Sequence, residues 1–191
     1  NQKETDEMTK AILDSVEKIN PDIVVMLGDT LDRHESIHSA VQKRAVEFLR
    51  NLSNMKKTYL LIGNHDRINN SDFLSETHPF VALKQWHNIV VVDKVCRDSV
   101  GNKVFTFVPY VYPGRFIEAL QTFDDNPEGI KLNTWLLSDC IFAHQEIKGC
   151  KMGAIISEEG DEWHSTYPLV VSGHIHDYQE CGLNVIYTGT P

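Results

Sequence analysis

The first 62 residues alternate between two hydrophobic periods, and that alternation limits the fold more than any other feature. Met8, Ile12, Val16 and Ile19 recur at the spacing of one helical face, with Thr5 as the N-cap and Asn20-Pro21 as the stop. Residues 23–27 then form a continuous apolar run of strand length. Ile37, Val41, Ala45, Phe48, Leu49 and Leu52 mark a second helical face, and residues 58–62 a second apolar run. Helix, strand, helix, strand, with strands apolar on both sides, predicts an α/β layer fold with buried parallel strands.

The middle of the chain reads differently. Residues 89–96 and 103–108 look like two strands of a hairpin turning at Gly101-Asn102. Residues 113–120 and 132–137 read as helical, and residues 140–143, 169–172 and 184–187 as further strands. There is no internal repeat, low-complexity tract or linker, and 191 residues suit one core, so residues 1–191 are read as a single domain. The acidic segment 157–163 reads as a solvated loop. The chain opens inside a helical pattern without an initiator Met and stops just past an apolar run, which reads as trimming at both ends.

Composition narrows the function classes. No apolar run approaches the length of a membrane span, and the start has no signal-peptide pattern. The four cysteines, Cys96, Cys140, Cys150 and Cys181, contain no CxxC pair. They read as free thiols of a reducing compartment such as the cytoplasm, not as a disulfide framework. A formal net charge of −9 argues against holding nucleic acid through the overall field, yet leaves room for a local site where bound cations supply positive charge.

The chemistry is concentrated where the apolar runs stop. "IVVMLGD" ends in Asp29, "TYLLIGNHD" in Asn64, His65 and Asp66, "CIFAH" in His144, and "LVVSGH" in His174 with His176 two residues on. In open α/β sheets, ligands bind outside the C-terminal ends of the strands, so these side chains are expected to converge on one rim. Gly28, Gly63 and Gly173 open the turns, where a missing Cβ permits close approach. A carboxylate, an amide oxygen and imidazoles, without thiolate, suit Mn²⁺, Fe²⁺ or Zn²⁺. Asp29, Asn64, His144, His174 and His176 are more donors than one tetrahedral site takes, which points to two divalent ions sharing a carboxylate.

"GDTLDR" (28–33), "GNHD" (63–66), the His of "FAHQE" and "GHIH" (173–176), in that order and context, resemble the calcineurin-like metallophosphoesterases. The resemblance spans almost the whole chain. It implies a four-layer α/β/β/α sandwich. It also implies Asp29 as the carboxylate bridging both metals, Asn64, His144 and His174 as further ligands of one ion, and His176 as a ligand of the other. His65 resembles the catalytic histidine that contacts the scissile phosphate and acts as general acid after in-line attack by a metal-bound hydroxide. Asp32 matches a position that orients that histidine in some branches; its alternative reading is a turn-stabilising residue. The Asp-x-His of the family's first strand does not precede the opening helix. Either that strand is missing through truncation or the protein is a degenerate member, and truncation is the reading adopted.

Within the family, "GDTLDR" with the helix ending "AVEFLRNL", "VPYVYPGRFIEAL" and "IYTGTP" look most like the SbcD-type DNA exonucleases of DNA repair. That likeness implies a DNA substrate, Mn²⁺, an SbcC-like ATPase partner and room for a homodimer. Lys148 and Lys151 read as either DNA-backbone contacts or solvated lysines, and Tyr110 and Tyr112 as either cleft or packing residues. A phosphodiesterase or phosphatase of nucleotides or other small esters is the alternative, and a non-catalytic scaffold of the same fold a third. His34, His38, His78, His87 and His164 lack strand-end context and read as surface or packing residues.

Overall fold

The computed structural model describes residues 2–32, 38–124 and 132–191. Helix α1 (Gln2–Ile19) ends at Asn20, which takes the left-handed conformation (φ +52°) and donates its backbone N–H to Val16 O at 2.9 Å. The helix begins ahead of Thr5, so Thr5 lies inside it and does not cap it. Gln2, Lys3 and Glu4 are good helix formers and carry the helix back past that position. Helix α2 (Ser39–Met55) is capped by His38, whose Nδ1 accepts the Ala40 N–H at 3.3 Å. His34 and Ile37 lie outside the described residues.

Two sheets form the centre. Strands β1 (Ile23–Met26), β2 (Lys57–Leu61) and β3 (Ile89–Val92) pair in that order, all parallel. The second sheet has six strands: β4 (Cys96–Val100), β5 (Lys103–Val108), β6 (Cys140–Ala143), β9 (Leu169–Ser172), β10 (Gln179–Cys181) and β11 (Val185–Tyr187). Its order is β10-β11-β9-β6-β5-β4, with antiparallel pairs at both edges and parallel pairing between. Strands β7 (Lys151–Met152) and β8 (Ile155–Ile156) make a small separate hairpin. Helix α3 (Phe116–Thr122) is shorter than the predicted 113–120 element is long, and the predicted helix at 132–137 is a 3-10 turn over Thr134–Leu137.

The predicted hairpin needs correction. Residues 89–96 are not one strand: β3 ends at Val92 in the first sheet, and the chain crosses to the second, where β4 turns at Gly101 (φ +60°) into β5. Asp93 explains the break. It is buried, and its carboxylate accepts from His78 Nε2 at 2.9 Å and Lys84 Nζ at 2.6 Å. A buried carboxylate must keep such partners, and they lie off the strand. His78 Nδ1 accepts the Phe80 N–H at 3.2 Å, so His78 is a satisfied packing residue.

Period-2 alternation divides the strands between apolar clusters. On β2 and just beyond, Leu60 and Ile62 pack with Leu49 of α2, whereas Tyr59 and Leu61 face the second sheet and pack with Phe107 of β5. On the second sheet, Val108, Ile141 and Val170 pack in a further cluster with Phe116, Ala119 and Leu120 of α3 and with Trp135. Helices α1 and α2 meet over β1 through Val16, Phe48, Leu52 and Val24. The mixed α/β fold with helices flanking the sheets is the class read from the sequence. Among the described residues, no helix is long and apolar enough to cross a membrane.

Cys150 and Cys181 are joined by a disulfide with Cα atoms 5.7 Å apart, while Cys96 and Cys140 are free. This overturns the reading of four free thiols. The pairing is set by the fold, which lays the segment after β6 against β10, and a separation of 31 residues carries no sequence signal. Closing that loop restricts the unfolded chain, so reduction is expected to lower stability by about 3–4 kcal/mol. Urea unfolding with and without a dithiol reductant measures this; an unchanged midpoint would show that the link contributes nothing.

The acidic segment is also not simply solvated. Asp161 is buried, and its carboxylate accepts the Phe116 N–H at the start of α3 at 3.0 Å and the Gln145 amide at 2.7 Å. Burial raises its pKa, offset by these donors.

Candidate metal centre

The parallel strands β1 and β2 of one sheet, and β6 and β9 of the other, end in the loops that carry the predicted donors. The expectation of one rim is therefore revised: the residues meet where the C-terminal edges of two facing sheets come together. Backbone and side-chain bonds join these edges. Tyr110 N–H donates to Ile62 O at 2.8 Å, and His144 Nδ1–H donates to Leu27 O at 2.6 Å.

That second bond decides the chemistry of His144. A carbonyl only accepts, so Nδ1 holds a proton, and in the neutral ring Nε2 presents a lone pair. Nε2 lies 2.9 Å from Asn64 Oδ1 and 3.2 Å from Asp29 Oδ2. Asn64 Oδ1 is also 3.0 Å from His174 Nδ1. Asp29, His144 and His174 each offer a ligand atom within 4.8 Å of the others'. Electron-rich atoms this close need a proton or a cation among them. Donors about 2.1 Å from a divalent ion and at right angles to one another are roughly 3 Å apart, so the residues fit such an ion.

Electrostatics agree with that reading. Burial pushes the Asp29 carboxyl up, but the hydrogen bond and charge of His144, and the His65 N–H, outweigh it and hold the group below its ordinary value. Burial, reinforced by neighbouring His144, lowers His174 to about 4, which leaves a neutral imidazole at pH 7. An ionised acid and neutral imidazoles are the forms that bind metal.

The backbone is shaped to the same end. Asp29 and His174 are both left-handed (φ +51° and +74°), an uncommon state for residues with a Cβ. A Cβ on Gly63 would lie 2.2 Å from Asp29 Oδ1 and 2.3 Å from its backbone N, so only glycine lets the two loops approach.

The remaining predicted residues fall outside this cluster. His65 donates its backbone N–H to Asp29 Oδ1 at 2.9 Å, and its ring Nδ1–H donates to the main-chain O of Asp32 at 2.9 Å. This contact with Asp32 orients the imidazole through a neutral carbonyl. His176 is exposed and is not among the clustered ligand atoms. Tyr110 is buried with its ring stacked on His174, centroids 5.8 Å apart, whereas Tyr112 is exposed. Lys148 is exposed and held by Glu162 at 2.8 Å.

Sequence reasoning placed Asp66 among the strand-end side chains without a role and did not single out Arg67 or Gln145. Asp66 accepts backbone N–H groups from the loops after β1 and β2, and burial raises it to about 6 against those donors. Arg67 Nη1 donates to Tyr110 O at 2.8 Å. The Gln145 amide bonds Val111 O at 3.1 Å and Asp161 at 2.7 Å, fixing the loop that begins at His144. Their one signal is adjacency to predicted ligands; polar residues that serve main-chain groups leave no periodic pattern.

Comparison with known proteins adds the following. The family described as calcineurin-like phosphoesterase matches residues 3–178. "Putative phosphoesterase 244L" of Invertebrate iridescent virus 6 is 45% identical over 169 residues, covering 88% of this chain and 57% of the relative. "Putative phosphoesterase 078R" of Invertebrate iridescent virus 3 is 41% identical over 186 residues, covering 96% of this chain and 51% of the relative. The chain spans about half the length of these curated relatives.

Proposed function

Because this chain belongs to the calcineurin-like phosphoesterase family, whose members bind divalent metal ions, we propose that it hydrolyses phosphodiesters, with DNA as the substrate and manganese as the metal. The observation that carries the reading is the meeting of Asp29, Asn64, His144 and His174 at the joined edges of two sheets. Asp29 would be shared with a second ion, to which His176 contributes. The likeness of "GDTLDR", "VPYVYPGRFIEAL" and "IYTGTP" to SbcD-type exonucleases supports DNA, and with it an SbcC-like ATPase partner and a homodimer.

Bound divalent cations would supply Lewis acidity, activating water and neutralising charge on the phosphoryl oxygens. This chain's residues do the rest. Asp29, Asn64, His144 and His174 hold and space the donors. Tyr110 stacks on the His174 ring and limits its rotation. His65, oriented through Nδ1 by the Asp32 carbonyl, would deliver a proton from Nε2 to the departing oxygen.

A second reading, small phosphoesters, is favoured by the net charge of −9 and by Lys148, whose charge is already engaged by Glu162. The test is incubation with Mn²⁺ of linear DNA and, separately, of bis-p-nitrophenyl phosphate. Degraded DNA is the expected result. Turnover of the small ester with intact DNA would move the substrate to the second reading, and inactivity on both despite bound metal would favour a scaffold.

A further inference from the structure

We propose that Asp66 is a positioning residue that locks the loop after β1 to the loop after β2 and so sets the distance between Asp29 and Asn64. The proposal rests on the metal-binding reading of the site. The Asp66 side chain is buried, with 1% of the residue exposed. Its Oδ1 accepts the Leu31 N–H at 2.9 Å, and its Oδ2 accepts the Gly63 N–H at 3.0 Å and the Thr30 N–H at 3.3 Å. One carboxylate thus holds main-chain groups just after Asp29 and just before Asn64. In the other direction, Asp29 Oδ1 accepts the His65 N–H at 2.9 Å. The two loops are cross-tied, each by an acid from the other.

The arrangement costs free energy that simple packing would not. A carboxylate is desolvated, and the adjacent cation, Arg67, turns away to the carbonyls of Tyr110 and Asp72. The groups it holds directly follow Asp29 (φ +51°), a conformation that persists in a non-glycine residue only when its surroundings impose it. With Asp66 in place, Asp29 Oδ1 is occupied by His65, and Oδ2 is presented at 3.2 Å from His144 Nε2. Without it, one tie remains, and the donors lose their common spacing before any ion arrives.

The test compares wild type with Asp66→Asn and Asp66→Glu. Asn keeps one acceptor oxygen and turns an NH₂ toward the N–H groups the other oxygen held, so it loses either Leu31 or both Gly63 and Thr30 and weakens the clamp whichever way the amide turns; Glu keeps both oxygens. Mn²⁺ affinity, measured by calorimetry, is expected to fall at least about 10-fold in Asp66→Asn, with partial recovery in Asp66→Glu. Hydrogen exchange of the metal-free Asn variant is expected to quicken at Leu31 or at Gly63, whichever loses its acceptor, and stay unchanged at Leu60 and Leu61. Wild-type Mn²⁺ affinity in the Asn variant, or exchange quickened equally through β2, would overturn the proposal. Should Asp66→Asn fail to fold, exchange in metal-free wild type decides: unprotected Leu31 and Gly63 amides would overturn it, and protected ones support it. Absence of Mn²⁺ binding by wild type itself would instead remove the metal-site reading, leaving the exchange result to judge the clamp.

Discussion

Replacing His65 with Ala is expected to lower turnover by about 10²–10⁴-fold while leaving bound manganese unchanged. His174→Ala is expected to lose the metal. The division follows from geometry. His174 Nδ1 lies 3.0 Å from Asn64 Oδ1, in the group of ligand atoms with Asp29 and His144. His65 touches Asp29 through its backbone N–H, which alanine retains, and its ring is engaged by the Asp32 carbonyl. Removing the His65 ring therefore takes away a proton donor without taking away a ligand. Removing the His174 ring opens a hole in the donor set and under Tyr110. Metal content by elemental analysis, paired with turnover of whichever ester the protein accepts, separates the roles. Equal metal loss in both variants would show that the division is wrong.

Phe107→Ala is expected to destabilise the fold by about 3–5 kcal/mol. Phe107 has no exposed surface and lies between the sheets, stacked on Tyr59 with centroids 3.9 Å apart and against Phe142 at 5.5 Å. Its loss removes the ring's own burial and leaves a cavity that two sheets, each held by its hydrogen-bonded ladder, cannot close. Leu183→Ala is the control, because Leu183 is 88% exposed and its removal should change stability by less than about 0.5 kcal/mol. Chemical denaturation measures both. A Phe107→Ala cost under about 1 kcal/mol would mean that the sheets do not pack through this face. Since the donors come from both sheets, the same variant should weaken metal binding.

Much of this was legible in one dimension. The helical periods of residues 8–19 and 41–52, and the apolar runs that became β1, β2, β6 and β9, follow from local sequence, because each residue's face is set by its own element's period. Asp29, Asn64, His144 and His174 were likewise visible, since each stands at the end of an apolar run of strand length. Residues 89–96 misled because Val95 and Cys96 resume apolar character after Asp93 and Lys94, and only the partners of Asp93 show where the chain leaves the first sheet.

What the sequence by itself determined is the helices and central strands of the two sheets and which side chains stand at their ends, for hydrophobic period and turn chemistry are local properties; the short strands β7, β8 and β10 carry no such signal. The tertiary structure alone decided that these ends belong to two sheets, that Cys150 meets Cys181, and that His144 Nδ1–H donates to Leu27 O. It also assigned Asp66 and Arg67 to main-chain groups. The physical reason is common to all of these. Each depends on satisfying a buried polar or covalent partner many residues distant, and no local period encodes where such a partner will be.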